Sequence, residues 1–146
     1  MESEQFKDLI RSNALRLRFG QLKTGFVLEG DDSAVFLILR RSAWSRYYYL
    51  RLKVELKPFE ADFDKLAYTK HDLGDLMMSL DSEHSELFDL ENELSDPERT
   101  KRLDSFFDTI VKQWISDMLV KRRIIELHQS GRLSLLPFVK SKLGIE

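Results

Sequence analysis

Five arginine and aromatic side chains near one predicted strand–loop–strand junction could do chemistry together. We call them the basic–aromatic loop, and they are Arg40, Arg41, Trp44, Arg46 and Tyr47. Guanidinium groups bind phosphates and aromatic rings stack on bases, so this pattern is typical of a site for single-stranded nucleic acid or a phosphorylated ligand. The alternative is ordinary sheet chemistry, because tyrosine favours strands and edge arginines discourage aggregation. The glycine–aromatic strand motif of RNA-binding sheets is absent.

An acidic segment at residues 81–98 is the second constellation, with eight carboxylates and no lysine or arginine. A dense negative surface speeds association with a basic protein, so we expect a basic partner protein to dock here. The alternative is a solvated connection whose apolar residues only anchor it to the domain. The expected partner-binding residues are Asp81, Glu83, Glu86, Phe88, Asp89, Glu91 and Glu93.

Signals for catalysis are few. The chain has no glycine-rich phosphate loop, no serine nucleophile elbow and no zinc-protease motif. It has no cysteine, which excludes thiolate catalysis and thiolate metal sites. His71, His84 and His128 lie far apart in sequence without ligand spacing. The sequence therefore favours a non-enzymatic protein and predicts no metal and no cofactor. A pocket that gathers one histidine with two carboxylates would indicate an enzyme instead.

Charge is strongly segregated along the chain. Residues 1–58 carry a net charge of +4, residues 59–98 carry −11, and residues 99–146 carry +5, so the total is only −2. This balance excludes a generally basic nucleic-acid-binding protein, although local patches of both signs remain available. The acidic middle favours a basic protein partner over nucleic acid, which stays the second possibility.

Length and composition indicate one globular domain over residues 1–146. The chain is 42% apolar and holds ten phenylalanines, enough to fill a sizeable core. Its longest purely apolar run, residues 34–39, is far too short to span a membrane. The first residues do not resemble a targeting peptide. We therefore expect a cytoplasmic protein with no membrane association.

Hydrophobic periodicity predicts a helix followed by strands. Residues 4–18 show three- and four-residue apolar spacing, with Ser3 as a plausible cap. Residues 22–29, 34–41 and 47–56 follow with strand patterns, and their short connections favour an antiparallel meander. A fourth strand at residues 66–69 is an alternative to a short helix there.

The C-terminal half is predicted to be helical. Residues 73–80 are interpreted as a helix, and residues 81–94 as an acidic loop or a loosely ordered segment with apolar anchors at Leu87, Phe88, Leu90 and Leu94. A long helix over residues 96–129 follows, capped by Ser95 or Asp96, with a break expected near residues 121–123. A last short helix is expected at residues 134–143. The apolar stripe of the long helix consists of Leu103, Phe107, Ile110, Trp114 and Met118.

These elements define an α+β fold in which an N-terminal helix precedes a three-stranded, or four-stranded, antiparallel sheet and C-terminal helices pack on that sheet. The second face of the sheet carries Val27, Phe36, Ile38, Tyr47 and Tyr49, and is too apolar to stand open to water. Helices of the same chain, a partner or a second copy must cover it. The flanking helices favour self-coverage, and hence a monomer or a weak homo-oligomer.

Core and cap patterns recur over most of the chain: Phe6-Lys7-Asp8-Leu9-Ile10, the apolar run at residues 35–39, the strand at residues 49–56, the stretch from Phe88 to Asp96, Arg99, and the helix that contains Trp114. With these patterns the sequence resembles a bacterial group known as domain-of-unknown-function family 4304. The resemblance implies a small bacterial α+β domain with no assigned activity, and it transfers no site residue.

Overall fold

The computed structural model describes residues 1–59 and 73–146, and it confirms the α+β architecture. A helix precedes an antiparallel sheet, and further helices follow the sheet. The elements are α1 (Ser3–Arg16), β1 (Gly20–Gln21), β2 (Phe26–Glu29), β3 (Ser33–Arg41), β4 (Tyr48–Leu56), β5 (Leu76–Met78), α2 (Ser82–Ser85), α3 (Asp96–Phe106), α4 (Lys112–Met118), α5 (Lys121–Gln129) and α6 (Pro137–Leu143).

The five strands found in the described residues form a meander in the order β1-β2-β3-β4-β5, with every neighbouring pair antiparallel. The two long central strands, β3 and β4, pair over nine residues each, as their sequence patterns predict. The single strand expected at residues 22–29 is instead a small hairpin of β1 and β2. Its turn is closed by the Leu22 N–H, which donates to the Gly25 carbonyl at 2.7 Å.

The helix predicted for residues 73–80 is wrong, because this segment contains β5. The open edge of β4 offers backbone partners, and pairing with it overrides the local helical preference. Gly74 makes the entry possible: its φ is +67°, and a Cβ there would lie 2.8 Å from the Val54 carbonyl oxygen. The Asp75 N–H then donates to that carbonyl at 2.8 Å. The alternative strand at residues 66–69 lies outside the described residues.

One face of the sheet carries the main core, as predicted. Tyr48, Leu52, Val54 and Leu56 of β4 are buried there against α1 and the C-terminal helices. Helix α1 contributes its predicted apolar face, although the residue before the helix is Glu2 rather than a Ser3 cap, and no side chain caps it. On the opposite face Ala34, Phe36 and Ile38 form a second cluster that is also buried within the chain.

The predicted long helix is divided into α3, α4 and α5. A π-helical turn at Phe107–Val111 joins α3 to α4, and the chain breaks again at Leu119 and Val120, just before the basic residues where a break was expected. Ser95, not Asp96, is the cap, because its Oγ accepts the Glu98 N–H at 3.2 Å.

The π turn changes which side chains of this helical region reach the core. A π turn holds more residues than an α turn, so the apolar stripe rotates after it. Val111 is therefore buried in place of Ile110, and Ile110 and Trp114 are only half-buried, while Leu103, Phe107 and Met118 of the predicted stripe are buried as predicted. Across the two described ranges, no helix combines the length and the apolar character needed to cross a membrane.

Candidate functional site

The acidic segment is ordered, in contrast to the loose loop expected from its composition. It begins with Asp81, whose carboxylate accepts the His84 N–H at 2.8 Å and contacts the His84 Nδ1 at 2.7 Å, which caps α2. The backbone hydrogen bond from His84, reinforced by its ring, lowers the pKa of Asp81 below the ordinary 3.8. A 3₁₀ turn at Glu86–Phe88 follows directly.

Apolar side chains anchor the acidic segment to the core. Leu87, Phe88 and Leu90 are buried in the main cluster. The Phe88 ring meets the rings of Phe6 and Phe106 edge to face, at centroid distances of 5.8 and 5.9 Å. Phe88 was expected to contact a partner, and the structure instead places its ring fully inside the core. The surface of the segment therefore presents carboxylates and not that ring.

Arg99 holds the acidic segment from beneath. Its side chain is fully buried, and Nη1 donates to the Leu87 carbonyl at 2.6 Å while Nη2 donates to Asn92 Oδ1 at 2.6 Å. Burial lowers the pKa of this guanidinium. The sequence analysis did not predict that Arg99 supports the acidic segment, although its position in the helix indicates burial. Arg99 lies four residues before Leu103 and so falls on the buried face of α3.

The carboxylates of the segment point outward while its backbone is held from below. Glu83 and Glu93 are exposed. Glu86 is exposed and paired with Arg102. Glu91 is exposed and accepts the Arg46 N–H at 3.0 Å. The result is a rigid backbone that carries a row of carboxylates, most of them open to solvent.

The tip of the β3–β4 hairpin presents Trp44 to solvent, with 97% of its surface exposed. The loop is closed beneath it, because the Ser42 N–H donates to the Tyr47 carbonyl at 2.7 Å. The hydroxyl oxygens of Ser42 and Ser45 accept the N–H groups of Trp44 and Tyr47 at 3.1 and 3.3 Å. These local bonds fix the loop backbone and leave the indole without packing.

The other members of the basic–aromatic loop point in different directions. Arg41 is opposite Tyr48 in the register, so it lies on the core face of the sheet. Arg40 is on the other face. The guanidinium of Arg46 donates to the Met1 carbonyl, and Tyr47 packs edge to face on Tyr49 with ring centroids 5.0 Å apart. The five residues share one hairpin but do not form one continuous basic surface.

The two predicted constellations meet in space. The Leu90 N–H donates to the Arg46 carbonyl at 3.2 Å, and Tyr47 forms an isolated antiparallel bridge with Asp89. Together with the bond from Arg46 to Glu91, these contacts join the hairpin tip to the acidic segment. We call the combined region the tryptophan–acid surface and define it by Trp44, Asp89, Glu91 and Glu93.

The described histidines have separate local partners. His84 is engaged with Asp81, and the His128 ring Nδ1 contacts the Leu133 carbonyl at 2.9 Å. His71 lies outside the described residues. Among residues 1–59 and 73–146, no group of three or more histidine, aspartate or glutamate side chains is placed to hold a metal ion.

Comparison with known proteins gives no relative to reason from. No protein-family model, no curated protein and no solved structure matches this chain. The resemblance to domain-of-unknown-function family 4304 stays a prediction. The functional argument therefore rests on the tryptophan–acid surface itself.

Proposed function

We propose that the protein is a non-enzymatic binding module that docks a basic partner protein on its tryptophan–acid surface. The observation that carries this proposal is the almost complete exposure of Trp44 on a closed loop joined to ordered carboxylates. Tryptophan is strongly enriched among the residues that dominate interface energies. An indole face also attracts lysine and arginine side chains through cation–π contacts, and carboxylates pair with the same groups.

Preorganisation of the surface supports the proposal. Association costs less when interface residues are already ordered in the free protein. Arg99 and the core anchor Phe88 fix the acidic segment from below, and the Ser42 and Ser45 hydroxyls fix the loop that carries Trp44. The partner then has to immobilise only exposed side chains.

The alternative function is binding of nucleic acid or a phosphorylated ligand at the basic–aromatic loop. Its supporting observation is that Arg40, Arg41 and Trp44 are all exposed on one hairpin. However, the segment joined to the loop carries Asp89 and Glu91, which repel a polyanion. Arg40 and Arg41 point to opposite faces of the sheet, so we weigh the carboxylates joined to the loop above them and favour the basic protein partner.

Fluorescence anisotropy tests the choice with two labelled probes, a peptide of alternating arginine and glycine and an oligouridylate. Trp44→Ala removes the anchor, and the pair Glu91→Gln with Glu93→Gln removes two charges while keeping oxygen acceptors. The matched control is Asp31→Asn with Glu146→Gln. It removes the same charge from other exposed positions, and Asp31 lies at the opposite end of the β3 strand from the hairpin tip.

We expect the peptide to bind the wild type more tightly than the oligouridylate does. Trp44→Ala and the Glu91/Glu93 pair should each weaken peptide binding about ten-fold, the effect of losing one good interface contact. Equal weakening by the control pair would show that net charge alone attracts the peptide and would overturn the proposal. Tighter binding of the oligouridylate, lost in Trp44→Ala, would instead establish the alternative function.

A further inference from the structure

A second candidate site lies between α1 and the core face of the sheet, on the side of β2 and β3. It is a cleft of about 420 Å³, within the range of small-molecule sites. Its apolar wall is formed by Ile10, Phe26 and Leu39. Arg41 and Tyr48 lie at the same cleft, and each brings a polar group that has no partner in the described parts of the chain.

The Tyr48 hydroxyl is the first of these groups. The side chain is only 2% exposed, and its ring packs on Phe6 with centroids 4.9 Å apart. The hydroxyl oxygen is buried without a hydrogen-bond partner. An unpaired buried hydroxyl is costly, so native structures rarely keep one unless a water or a ligand satisfies it. The hydroxyl is closed to solvent, but Tyr48 lines the cleft, so a ligand that enters there and shifts the side chains over the hydroxyl would supply that partner.

The second polar group at the cleft is the Arg41 guanidinium. Arg41 is directly opposite Tyr48 in the β3–β4 register, so both side chains leave the sheet on the same face. Within the two described ranges its guanidinium makes no hydrogen bond and no ion pair. Both residues line the cleft, and a guanidinium fork and a phenol hydroxyl are donors that suit an oxyanion.

The charges along α1 decide which oxyanion fits. Lys7 is paired with Glu4 at 3.5 Å, and Arg11 is paired with Asp8 at 2.9 Å, so these four residues of the cleft neutralise one another. Arg41 is then the only uncompensated charge among the described lining residues. One free positive charge suits a monoanion, while a phosphate dianion would also meet the carboxylates of Glu4 and Asp8.

We propose that this cleft binds a small organic monocarboxylate. The carboxylate accepts hydrogen bonds from the Arg41 guanidinium and the Tyr48 hydroxyl, and the apolar body of the ligand packs on Ile10, Phe26 and Leu39. The site is separate from the tryptophan–acid surface, because Arg41 faces α1 while Trp44 projects from the hairpin tip. The result of a test at one site therefore does not decide the proposal for the other site.

Nuclear magnetic resonance titration of the ¹⁵N-labelled protein tests this site with benzoate, hexanoate, inorganic phosphate and benzamide as probes. The variants are Arg41→Gln, which removes the guanidinium, and Tyr48→Phe, which removes only the hydroxyl. Arg40→Gln is the matched control, since it removes the neighbouring guanidinium on the opposite face. Thermal unfolding of each variant shows whether the fold is intact.

We expect benzoate and hexanoate to cause saturable shifts at amides around Gln21, Arg41 and Tyr48, and benzamide and phosphate to bind at least about ten-fold more weakly. Arg41→Gln and Tyr48→Phe should each weaken carboxylate binding about ten-fold, the loss of one hydrogen bond to a charged group. Tyr48→Phe should fold at least as stably as the wild type, because it removes an unpaired buried hydroxyl.

Three results would overturn the proposal. The first is the absence of saturable shifts at the cleft with both carboxylates at millimolar concentration. The second is equal weakening by Arg41→Gln and Arg40→Gln, which would mean that general charge holds the probe. The third is phosphate binding as tightly as benzoate, which would contradict the assignment of a monocarboxylate.

Discussion

The acidic segment and the hairpin tip with Trp44 both look like surface features in the sequence, but they are built in opposite ways. The acidic segment rests on buried Phe88 and Arg99, and most of its carboxylates are exposed. The hairpin tip carries Trp44 on a loop whose backbone is held by the Ser42 and Ser45 hydroxyl oxygens, and it is joined to the acidic segment through the backbone of Arg46. Composition therefore indicates which charged side chains face solvent. The tertiary contacts beneath each surface determine which residues stabilise the fold.

This difference separates stability from binding. Side chains beneath the acidic segment should carry a large share of the folding free energy and little direct binding energy. Trp44 should contribute little to the folding free energy and a large share of the binding energy. The predictions that follow test this division, from the largest expected change in stability to the smallest.

Phe88→Ala should have the largest effect, because it removes a fully buried ring that contacts Phe6 and Phe106. We expect a loss of about 3–5 kcal/mol in the free energy of unfolding, measured by urea denaturation. Phe138→Ala is the matched control, since about half of that side chain's surface is exposed, and it should cost less than about half as much. Similar losses in both variants would contradict the buried position of Phe88.

Arg99→Met should cause the next largest loss of stability. It removes the donor of the Leu87 carbonyl and leaves Asn92 Oδ1 with the Leu94 N–H alone, and relief of the buried charge offsets this only in part. We expect a loss of about 2–3 kcal/mol and faster hydrogen exchange at residues 86–92. Lys101→Met, an exposed change on the same helix, should alter neither quantity. Unchanged exchange in Arg99→Met would show that Arg99 does not hold the segment.

The cap at Asp81 should give a smaller, pH-dependent effect. The His84 N–H lowers the pKa of Asp81 in the folded protein below its ordinary 3.8. Its contribution to stability is therefore complete above that value and disappears as the pH falls through the lowered folded pKa. The protection of the amides of residues 82–85 from hydrogen exchange, taken relative to the intrinsic rate at each pH, should fall over that acid range in the wild type and change less in Asp81→Asn. A carboxyl resonance that titrates at or above 3.8 would contradict the capping interaction.

Trp44→Ala should change stability least, by no more than about 0.5 kcal/mol, because its side chain packs on nothing. Trp114→Ala makes the informative contrast, since that ring is half-buried against the main core and should cost roughly 2 kcal/mol. Thermal unfolding of the two variants measures both. A large loss in Trp44→Ala would mean that the indole has a structural partner and is not held open for binding.

Much of the fold follows from local sequence signals. The apolar spacing of α1, the patterns of β3 and β4, and the Ser95 cap all act within a few residues, so the sequence alone predicts them. Gly144, which ends α6 with φ at +73°, belongs to the same group.

Features that depend on distant partners escaped the sequence reasoning. Residues 76–78 become a strand because the edge of β4 is open to them, and their own sequence favours a helix. The π turn at Phe107–Val111 shifts the buried stripe by an insertion that periodicity does not reveal. In the candidate site, the exposed carboxylates were predicted, but the burial of Phe88 and the support from Arg99 come from tertiary packing.

The most direct test of the docking proposal is a map of where a basic probe binds. The arginine–glycine peptide is titrated into the ¹⁵N-labelled protein, and the shifts of backbone amides and of the two indole N–H groups are followed. We expect saturable shifts at residues 42–46 and 89–93 and at the Trp44 indole, with the Trp114 indole unchanged. Shifts spread over all exposed carboxylates, or centred on α1 with the Trp44 indole unchanged, would contradict it.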